Sequence, residues 1–289
     1  MSFEADSLGI RPTGLELLRD LVHEHAGIYY DAARLETMAD RIAPLVTERQ
    51  FGSFLDYFYY LKYDPAGAFE WNRVFDALSV PETYFWREID QIKAAVDVVV
   101  PALVARYGSR PVRIWSVPCA SGEEPLTIAM LLEERGWFER ANIELYAADA
   151  SPAAIARATQ GEYRERSFRA LPPALRDRYF EHGDQLWRVK RTLHARVRGW
   201  HTLNLMQPEH ARLVGAAPLI FCRNVFIYFS QHAVRQVVET LADMMPAPAY
   251  LCVSASESLL RISNRFELEE IAGAFMYVKP AGTSGGQHP

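Results

Sequence analysis

Cysteine is scarce in this chain of 289 residues, and its three copies carry no metal-binding pattern. Cys119, Cys222 and Cys252 are far apart and odd in number, so we expect reduced thiols near the core and no disulfide framework. The eight histidines likewise form no ligand pattern. The sequence therefore predicts no metal site.

Long apolar runs are also missing. The longest, residues 96–105 and 219–229, contain Asp97 and Arg223 and are shorter than the ~20 residues that a membrane-spanning helix needs. The first residues include acids and no apolar stretch typical of a signal sequence. We therefore expect no membrane insertion and a cytoplasmic location.

Positive charge is not in excess. The chain has 31 Lys and Arg against 36 Asp and Glu, a net charge of -5, so it offers no general field that attracts nucleic acid. With 49% hydrophobic residues, it is long enough for a large core and a small companion domain. We expect no nucleic-acid partner.

Two patterns of apolar residues divide the chain. Helical spacing from Leu15 to about Phe75 predicts a small helical domain over residues 11–78. Beyond it, strands and helices alternate, which is typical of an α/β fold with a parallel, doubly wound sheet, here over residues 79–280. An Arg-rich and aromatic-rich segment at about 161–200 predicts a small antiparallel β insert. The polar, Gly-rich tail, residues 281–289, is predicted to be disordered.

The loop after the first predicted strand suggests a cofactor. Small residues, Ala120-Ser121-Gly122, follow the strand and precede a helix, which lets a ligand approach the backbone at the sheet edge. The loop lacks the glycine pattern of dinucleotide sites and the Gly-Lys-Ser of phosphate loops. It places Glu123 and Glu124 where a diphosphate would need donors. These carboxylates would instead attract an ammonium or sulfonium group, and S-adenosylmethionine carries both.

Asp149 ends the next predicted strand, where an acid commonly accepts hydrogen bonds from ribose hydroxyls. Structural alternatives exist for each of these acids. Glu123 and Glu124 could simply complement the helix dipole, and Asp149 could cap the helix that starts near Pro152.

Four segments carry more specific strings. They are Val80-Pro81-Glu82-Thr83-Tyr84-Phe85-Trp86-Arg87, Ile114 through Pro125 with its Gly-Glu-Glu-Pro, Asn204-Leu205, and Phe221-Cys222-Arg223-Asn224-Val225-Phe226-Ile227-Tyr228-Phe229. In this order they resemble the chemotaxis receptor methyltransferases of the CheR family, over roughly residues 15–280. The resemblance implies a Rossmann-like class I methyltransferase domain with an N-terminal all-helical domain and an antiparallel insert. It also implies S-adenosylmethionine as cofactor and methyl transfer to glutamate side chains in the cytoplasmic domain of a chemoreceptor.

The resemblance further implies residue roles. Arg87 orients the accepting carboxylate through its planar guanidinium group, and Tyr228 forms the second wall of the transfer site. The implied cofactor-binding residues are Thr83, Arg87, Glu123, Asp149, Asn204, Leu205, Arg223 and Asn224. Glu123 is directed to the amino group, with Glu124 as the open alternative. No general base is required, because a glutamate with an ordinary pKa of ~4.3 is ionised at neutral pH.

Purely structural roles remain as alternatives for Arg87 and Tyr228. Without the resemblance, Arg87 could pair with Glu88 or lie over Trp86, and Tyr228 could be a core tyrosine.

Some positions depart from the family pattern. Pro81 stands where an asparagine is expected to contact the cofactor, Ser151 replaces an acid, and Ser254-Ala255-Ser256-Glu257 replaces Gly-His-Ser-Glu. The helical region also carries seven basic and ten acidic side chains between Arg11 and Phe75. Binding to an acidic receptor through this region would instead favour an excess of positive charge. The insert offers basic residues instead: Arg164, Arg166, Arg169, Arg188, Lys190 and Arg191.

Two alternatives to receptor methylation follow from the sequence. One is a methyltransferase with a different protein acceptor, and the other is a non-catalytic adaptor that keeps the fold and binds a signalling partner. We expect a monomer.

Overall fold

The computed structural model describes residues 12–80 and 82–281. Pro81, which stands where the family pattern has an asparagine, lies outside the described residues, and so do residues 282–289 of the predicted disordered tail.

The first part of the chain is helical, as predicted. Its helices are α1 (Pro12–Ala26), α2 (Leu35–Glu48), α3 (Phe54–Tyr63) and α4 (Gly67–Leu78). Residues at helical spacing, such as Leu18 and Val22 of α1 and Met38 and Ile42 of α2, are buried in a core of their own. Leu17, the neighbour of Leu18 in the sequence, points away from this core and is 41% exposed. We call residues 12–80 the helical unit.

A long helix connects the helical unit to the α/β part of the chain. It begins as α5 (Ile89–Ala94), passes through a wider π-helical turn (Ala95–Val99) and continues as α6 (Val100–Tyr107). The π turn ends two residues before Pro101, which has no N–H to donate to a preceding carbonyl. The helix therefore has an irregular middle.

Strands and helices then alternate. The strands are β1 (Val112–Ser116), β2 (Ile143–Asp149), β3 (Glu162–Tyr163), β4 (Phe180–His182), β5 (Trp187–Val189), β6 (Val197–Thr202), β7 (Leu219–Phe221), β8 (Ala249–Cys252), β9 (Glu267–Ile271) and β10 (Ala274–Lys279). The helices are α7 (Glu123–Glu134), α8 (Trp137–Arg140), α9 (Pro152–Gln160), α10 (Pro173–Tyr179), α11 (Arg191–His194), α12 (Pro208–Gly215) and α13 (Gln231–Met244).

The central sheet has the order β6-β2-β1-β7-β8-β10-β9. The neighbouring strands β6, β2, β1, β7 and β8 are parallel to one another, and β10 pairs antiparallel with both β8 and β9. Both faces are covered: Ile114 and Phe221 pack into one apolar core, and Trp115 and Ile220 pack into another on the opposite face. This explains why β7 is a continuous apolar run in the sequence and why β1 is apolar apart from Arg113 and Ser116. The predicted doubly wound α/β fold is confirmed.

The antiparallel insert is the sheet β3-β5-β4. Its pairing covers residues 162–189, which is shorter than the expected 161–200. Residues 197–202 instead form β6, which pairs parallel with β2 at the edge of the central sheet. Because β6 is half-exposed over most of its length, it lacks the mainly apolar composition of the buried strands β1 and β2.

The chain order of the parallel strands reverses at β1. From there the sheet grows through β2 to β6 on one side and through β7 to β8 on the other. In such sheets ligands bind outside the carboxyl ends of the strands at this reversal. The helical unit packs at this edge: Tyr29 N donates to Tyr228 O at 2.8 Å, and Asn204 Nδ2 donates to His25 O at 2.7 Å.

Candidate functional site

A cavity of about 270 Å³ lies between the helical unit and the carboxyl ends of β1, β2 and β7. All but one of the predicted site residues line it. They are Thr83, Arg87, Asp149, Asn204, Leu205, Arg223, Asn224 and Tyr228. The tertiary structure thus brings together residues that lie up to 145 positions apart in the sequence (83 to 228).

Glu123 is the predicted residue that does not line the cavity. It is 3% exposed, and its carboxylate accepts hydrogen bonds from Ser121 Oγ (2.8 Å) and Ser167 Oγ (3.1 Å). Its neighbour Glu124 lines the cavity instead. Successive side chains on a helix point in directions about 100° apart, so only one of the two glutamates at the start of α7 can face the ligand. The structure favours Glu124, the alternative that the sequence left open.

Asp149 connects the loop after β1 to the loop after β2 at the floor of the cavity. Its Oδ2 accepts from Ala120 N and its Oδ1 from Ser151 N, both at 2.9 Å. Ser151, and not Asp149, caps α9, because Ser151 Oγ accepts from Ala154 N at 3.0 Å. Each carboxylate oxygen of Asp149 keeps a further lone pair, so the side chain can also accept from two neighbouring hydroxyls. Burial raises the pKa of Asp149, although the backbone N–H groups oppose that shift.

Arg223 is a buried anchor in the cavity wall. It is 3% exposed; its Nη1 donates to Glu124 Oε2 at 3.0 Å, and its Nη2 lies 3.2 Å from Glu88 Oε2. The same Nη2 donates to the carbonyl of Arg87 at 3.1 Å. Burial acts to lower the pKa of Arg223, but the charges of Glu124 and Glu88 outweigh it and raise the pKa. The guanidinium group is therefore committed largely to holding the segment that carries Arg87.

Arg87 keeps most of its donors uncommitted. Its Nη1 donates to Glu82 O at 2.7 Å, and its Nε is 3.8 Å from Glu88 Oε1. The alternative pairing with Glu88 is thus a loose contact, and the aromatic ring near the guanidinium carbon is that of Tyr84, at 5.7 Å. A guanidinium group has five N–H donors. Arg87 can therefore bind a carboxylate from inside the cavity.

The loop from Asn224 to Tyr228 is held from behind by Glu257. Glu257 Oε2 accepts from Asn224 N at 2.9 Å, and Oε1 accepts from Phe226 N at 2.7 Å. Asn224 has a left-handed backbone with φ of 60°. Tyr228 is half-buried against the cavity, so it is not a fully enclosed core tyrosine.

Asn204 and Leu205 form another part of the wall. Asn204 Oδ1 accepts from Met206 N at 3.0 Å, and its Nδ2 binds the helical unit as described above. Leu205 is buried and apolar. Asn204 therefore has one amide N–H left for a ligand, and Leu205 excludes water.

Sequence reasoning missed the contribution of the helical unit. Ala26, Ile28, Tyr29, Tyr30, Arg34, Thr37, Arg41 and Phe75 all line the cavity. Arg34 immediately precedes α2 and Arg41 lies seven positions further along, within that helix, and both side chains reach the cavity. Together with Arg87, they place positive charge locally in a protein of net negative charge.

The cavity has the features that S-adenosylmethionine requires. The acids Glu124 and Asp149 lie on its strand side, beside apolar Val117 and Leu205, which suits an adenosine with a cationic tail. No His, Cys, Asp and Glu cluster that could hold a metal ion is found in the described part of the chain. Nor does any described helix have the length and apolarity to cross a membrane.

Comparison with known proteins agrees with this geometry. Residues 13–79 match the family model described as CheR methyltransferase, all-alpha domain, and residues 81–275 match CheR methyltransferase, SAM binding domain. Chemotaxis protein methyltransferase 2 of Vibrio cholerae is 33% identical, with 91% of each chain covered. Chemotaxis protein methyltransferase of Klebsiella aerogenes is 30% identical over 91% of this chain and 89% of its own.

Other similarities are more partial. A probable biofilm formation methyltransferase, WspC of Pseudomonas putida, is 33% identical over 74% of this chain and 50% of its own. A solved magnesium protoporphyrin IX methyltransferase from Synechocystis has 16% identity and a TM-score of 0.34 over 76% of this chain and 91% of its own, which is too low to carry an argument. From the matched family models and full-length relatives, the chain belongs to the CheR methyltransferase family and is an S-adenosylmethionine-dependent methyltransferase with a class I fold.

Proposed function

We propose that this protein transfers the methyl group of S-adenosylmethionine to glutamate side chains in the cytoplasmic domain of a chemoreceptor, giving glutamyl methyl esters. The relatives named chemotaxis protein methyltransferases support this acceptor. The observation that carries the proposal is the position of Arg87, which lines the same cavity as Asp149 and Glu124 and still has free N–H donors.

The strand side of the cavity is assigned to the cofactor. When bound, S-adenosylmethionine supplies an electrophilic methyl group on a sulfonium centre, which a carboxylate oxygen accepts without any proton transfer. Asp149 accepts hydrogen bonds from the ribose hydroxyls through its two free acceptor positions. Glu124 faces the cationic amino acid part, and Leu205 excludes water from one side.

The helical side is assigned to the acceptor. Arg87 holds the glutamate carboxylate through charge-assisted hydrogen bonds, and Tyr228 limits the space in which it can turn. Since the carboxylate is already ionised, the enzyme accelerates transfer by orientation and by removal of water. Arg34 and Arg41 add positive charge to this side of the cavity, which favours an acidic acceptor.

A methyl-transfer assay tests the proposal. Purified cytoplasmic fragments of chemoreceptors are incubated with protein and radiolabelled S-adenosylmethionine, and base-labile label is measured, because methyl esters release methanol in base. We expect Arg87→Gln to lower transfer by ~10²-fold or more, as the loss of an orienting group does, while the cofactor still binds. Arg265→Gln is the matched control, since Arg265 pairs with Asp243 at 2.7 Å away from the cavity.

Calorimetry separates the alternatives. Cofactor binding that is lost in Asp149→Ala supports the assigned binding residues. Cofactor binding together with label transfer only to another class of protein would show that the acceptor is not a chemoreceptor. Folded protein that fails to bind at millimolar cofactor would leave the adaptor as the better account.

We also infer that the protein acts as a monomer in the cytoplasm. The cytoplasmic location follows from the proposed acceptor, which is the cytoplasmic domain of a chemoreceptor. Sedimentation equilibrium at assay concentrations checks the monomer.

A further inference from the structure

Tyr84 has two guanidinium groups near its ring at the edge of the cavity. The guanidinium carbon of Arg169 lies 3.7 Å from the ring centre, and that of Arg87 lies 5.7 Å from it. Tyr84 and Arg87 line the cavity, whereas Arg169 belongs to the insert region and is exposed. The positive charge of the site therefore continues outward across Tyr84, and we call these three residues the rim.

The rim is held in place by contacts behind it. Arg169 follows a 3₁₀ turn (Glu165–Phe168), and Ser167 in this turn accepts a backbone hydrogen bond from Phe85 N at 2.9 Å. The rings of Phe85 and Phe168 lie 5.1 Å apart in a stacked arrangement. Since both contacts involve the segment that carries Tyr84 and Arg87, the position of Arg169 relative to Arg87 is fixed before any acceptor binds.

The two cations of the rim have only loose anionic partners. Arg169 lies 3.5 Å from Glu82 Oε1, and the Glu82 side chain is 71% exposed. Arg87 lies 3.8 Å from Glu88 Oε1. Because both side chains of the Arg169–Glu82 pair are exposed to solvent, the pair is weak, and a carboxylate from another molecule can replace Glu82.

We propose that the rim recognises a second carboxylate on the acceptor. Arg87 holds the accepting glutamate, and Arg169, positioned by Tyr84, binds an acidic side chain about one helical turn away. Residues three or four positions apart on a helix have Cβ atoms ~5–6 Å apart, and two guanidinium groups that lie 3.7 and 5.7 Å from the centre of one ring can contact carboxylates at such a separation. The inference rests on the proposed function and deepens it: the substrates are acidic helical segments with paired carboxylates.

Peptide binding tests the rim without requiring methyl transfer. Two fluorescent helical peptides of equal length carry a central glutamate and differ only at the position four residues away, which is Glu in one and Gln in the other. Fluorescence anisotropy with S-adenosylhomocysteine present measures their affinities. We expect the peptide with two glutamates to bind about fivefold more tightly, the size expected of one partly exposed charge pair.

Variants assign the preference to the rim. Arg169→Gln is expected to abolish the difference between the two peptides, and Arg265→Gln to preserve it. Arg169→Glu is expected to favour a third peptide with Lys at the variable position. Tyr84→Leu, checked for folding by thermal unfolding, is expected to weaken the preference, because the ring that positions Arg169 is gone.

Three results would overturn the inference: equal affinity of the unaltered protein for the two peptides, a preference that survives in Arg169→Gln, or no binding of either peptide. The proposed function fails separately. If Arg169-dependent binding occurs and no chemoreceptor fragment is methylated, the rim stands and the acceptor assignment falls. If fragments are methylated without any effect of the neighbouring charge, the reverse holds.

Discussion

Arg223 Nη1 lies 3.0 Å from Glu124 Oε2, and the Arg223 side chain is almost completely buried. The pair joins the start of α7 to the loop after β7, and Glu88 completes it from the other side. A buried ion pair is costly to break, because the remaining partner keeps its charge without water. The wall of the cavity therefore depends on this contact.

Arg223→Met is expected to destabilise the protein by ~3–5 kcal/mol, as removal of one partner from a buried pair does. Urea unfolding measures the change. Arg265→Met, at an exposed pair, is the control and should cost less than ~1 kcal/mol. Equal losses of unfolding free energy in the two variants would show that the buried pair of Arg223 contributes no more to stability than an exposed pair.

Glu257→Gln is expected to impair methyl transfer through the loop that carries Tyr228. The carboxylate accepts from backbone N–H groups of Asn224, Phe226 and Ser254, and a Gln side chain would turn an NH₂ group toward at least one of them. An unsatisfied buried donor costs ~1–3 kcal/mol. The temperature of thermal unfolding and the rate of methyl transfer should both fall, whereas Glu270→Gln on exposed β9 should change neither. Normal transfer by Glu257→Gln would separate the loop from the reaction.

Gly27→Ala is expected to loosen the helical unit from the cavity. Gly27 has φ of +73°, and an added Cβ would lie 2.8 Å from the Phe229 ring and 2.9 Å from Met206 Sδ. Gly136→Ala is a matched control, because Gly136 has a left-handed backbone with φ of +65° and an added Cβ would lie no closer than 3.8 Å to any neighbouring atom. Both variants bear the backbone strain of ~1–3 kcal/mol, so the additional loss in Gly27→Ala measures the contact. Chemical unfolding of both variants gives the difference, and no difference would mean that this contact adds nothing.

Cofactor binding is expected to release protons and to strengthen as pH rises. Burial raises the pKa of Asp149 and of Glu124 above their ordinary values of 3.8 and 4.5, although Arg223 opposes the shift at Glu124. Stability from such groups is complete below the unfolded pKa and is lost as pH rises through the folded pKa. Ribose hydroxyls and a cationic ligand favour the ionised forms, so affinity should fall as pH drops toward the raised values.

Calorimetry in buffers of different ionisation enthalpy measures the number of protons released. Asp149→Ala should release fewer protons where it still binds. Affinity independent of pH from neutral down to the ordinary carboxylate range would contradict the assignment of these two acids to the cofactor.

Local patterns carried much of the fold. The buried strand β7 is an apolar run and β1 is mainly apolar, because both faces of the sheet are covered. The strands β6, β9 and β10 were not predicted. Of these, β6 and β9 lie at the edges of the central sheet and are half-exposed and exposed, respectively, so partial burial left no clear apolar pattern.

The sequence by itself determined the family, the fold class, the cofactor and eight of the residues that line the cavity, because these follow from short strings and from the burial of individual elements. Only the tertiary structure decided that Glu124 and not Glu123 faces the cavity, that Arg223 is an anchor between two glutamates, and that the helical unit supplies Arg34 and Arg41. Each of these depends on how distant elements pack and in which direction a side chain points, and no local pattern records that.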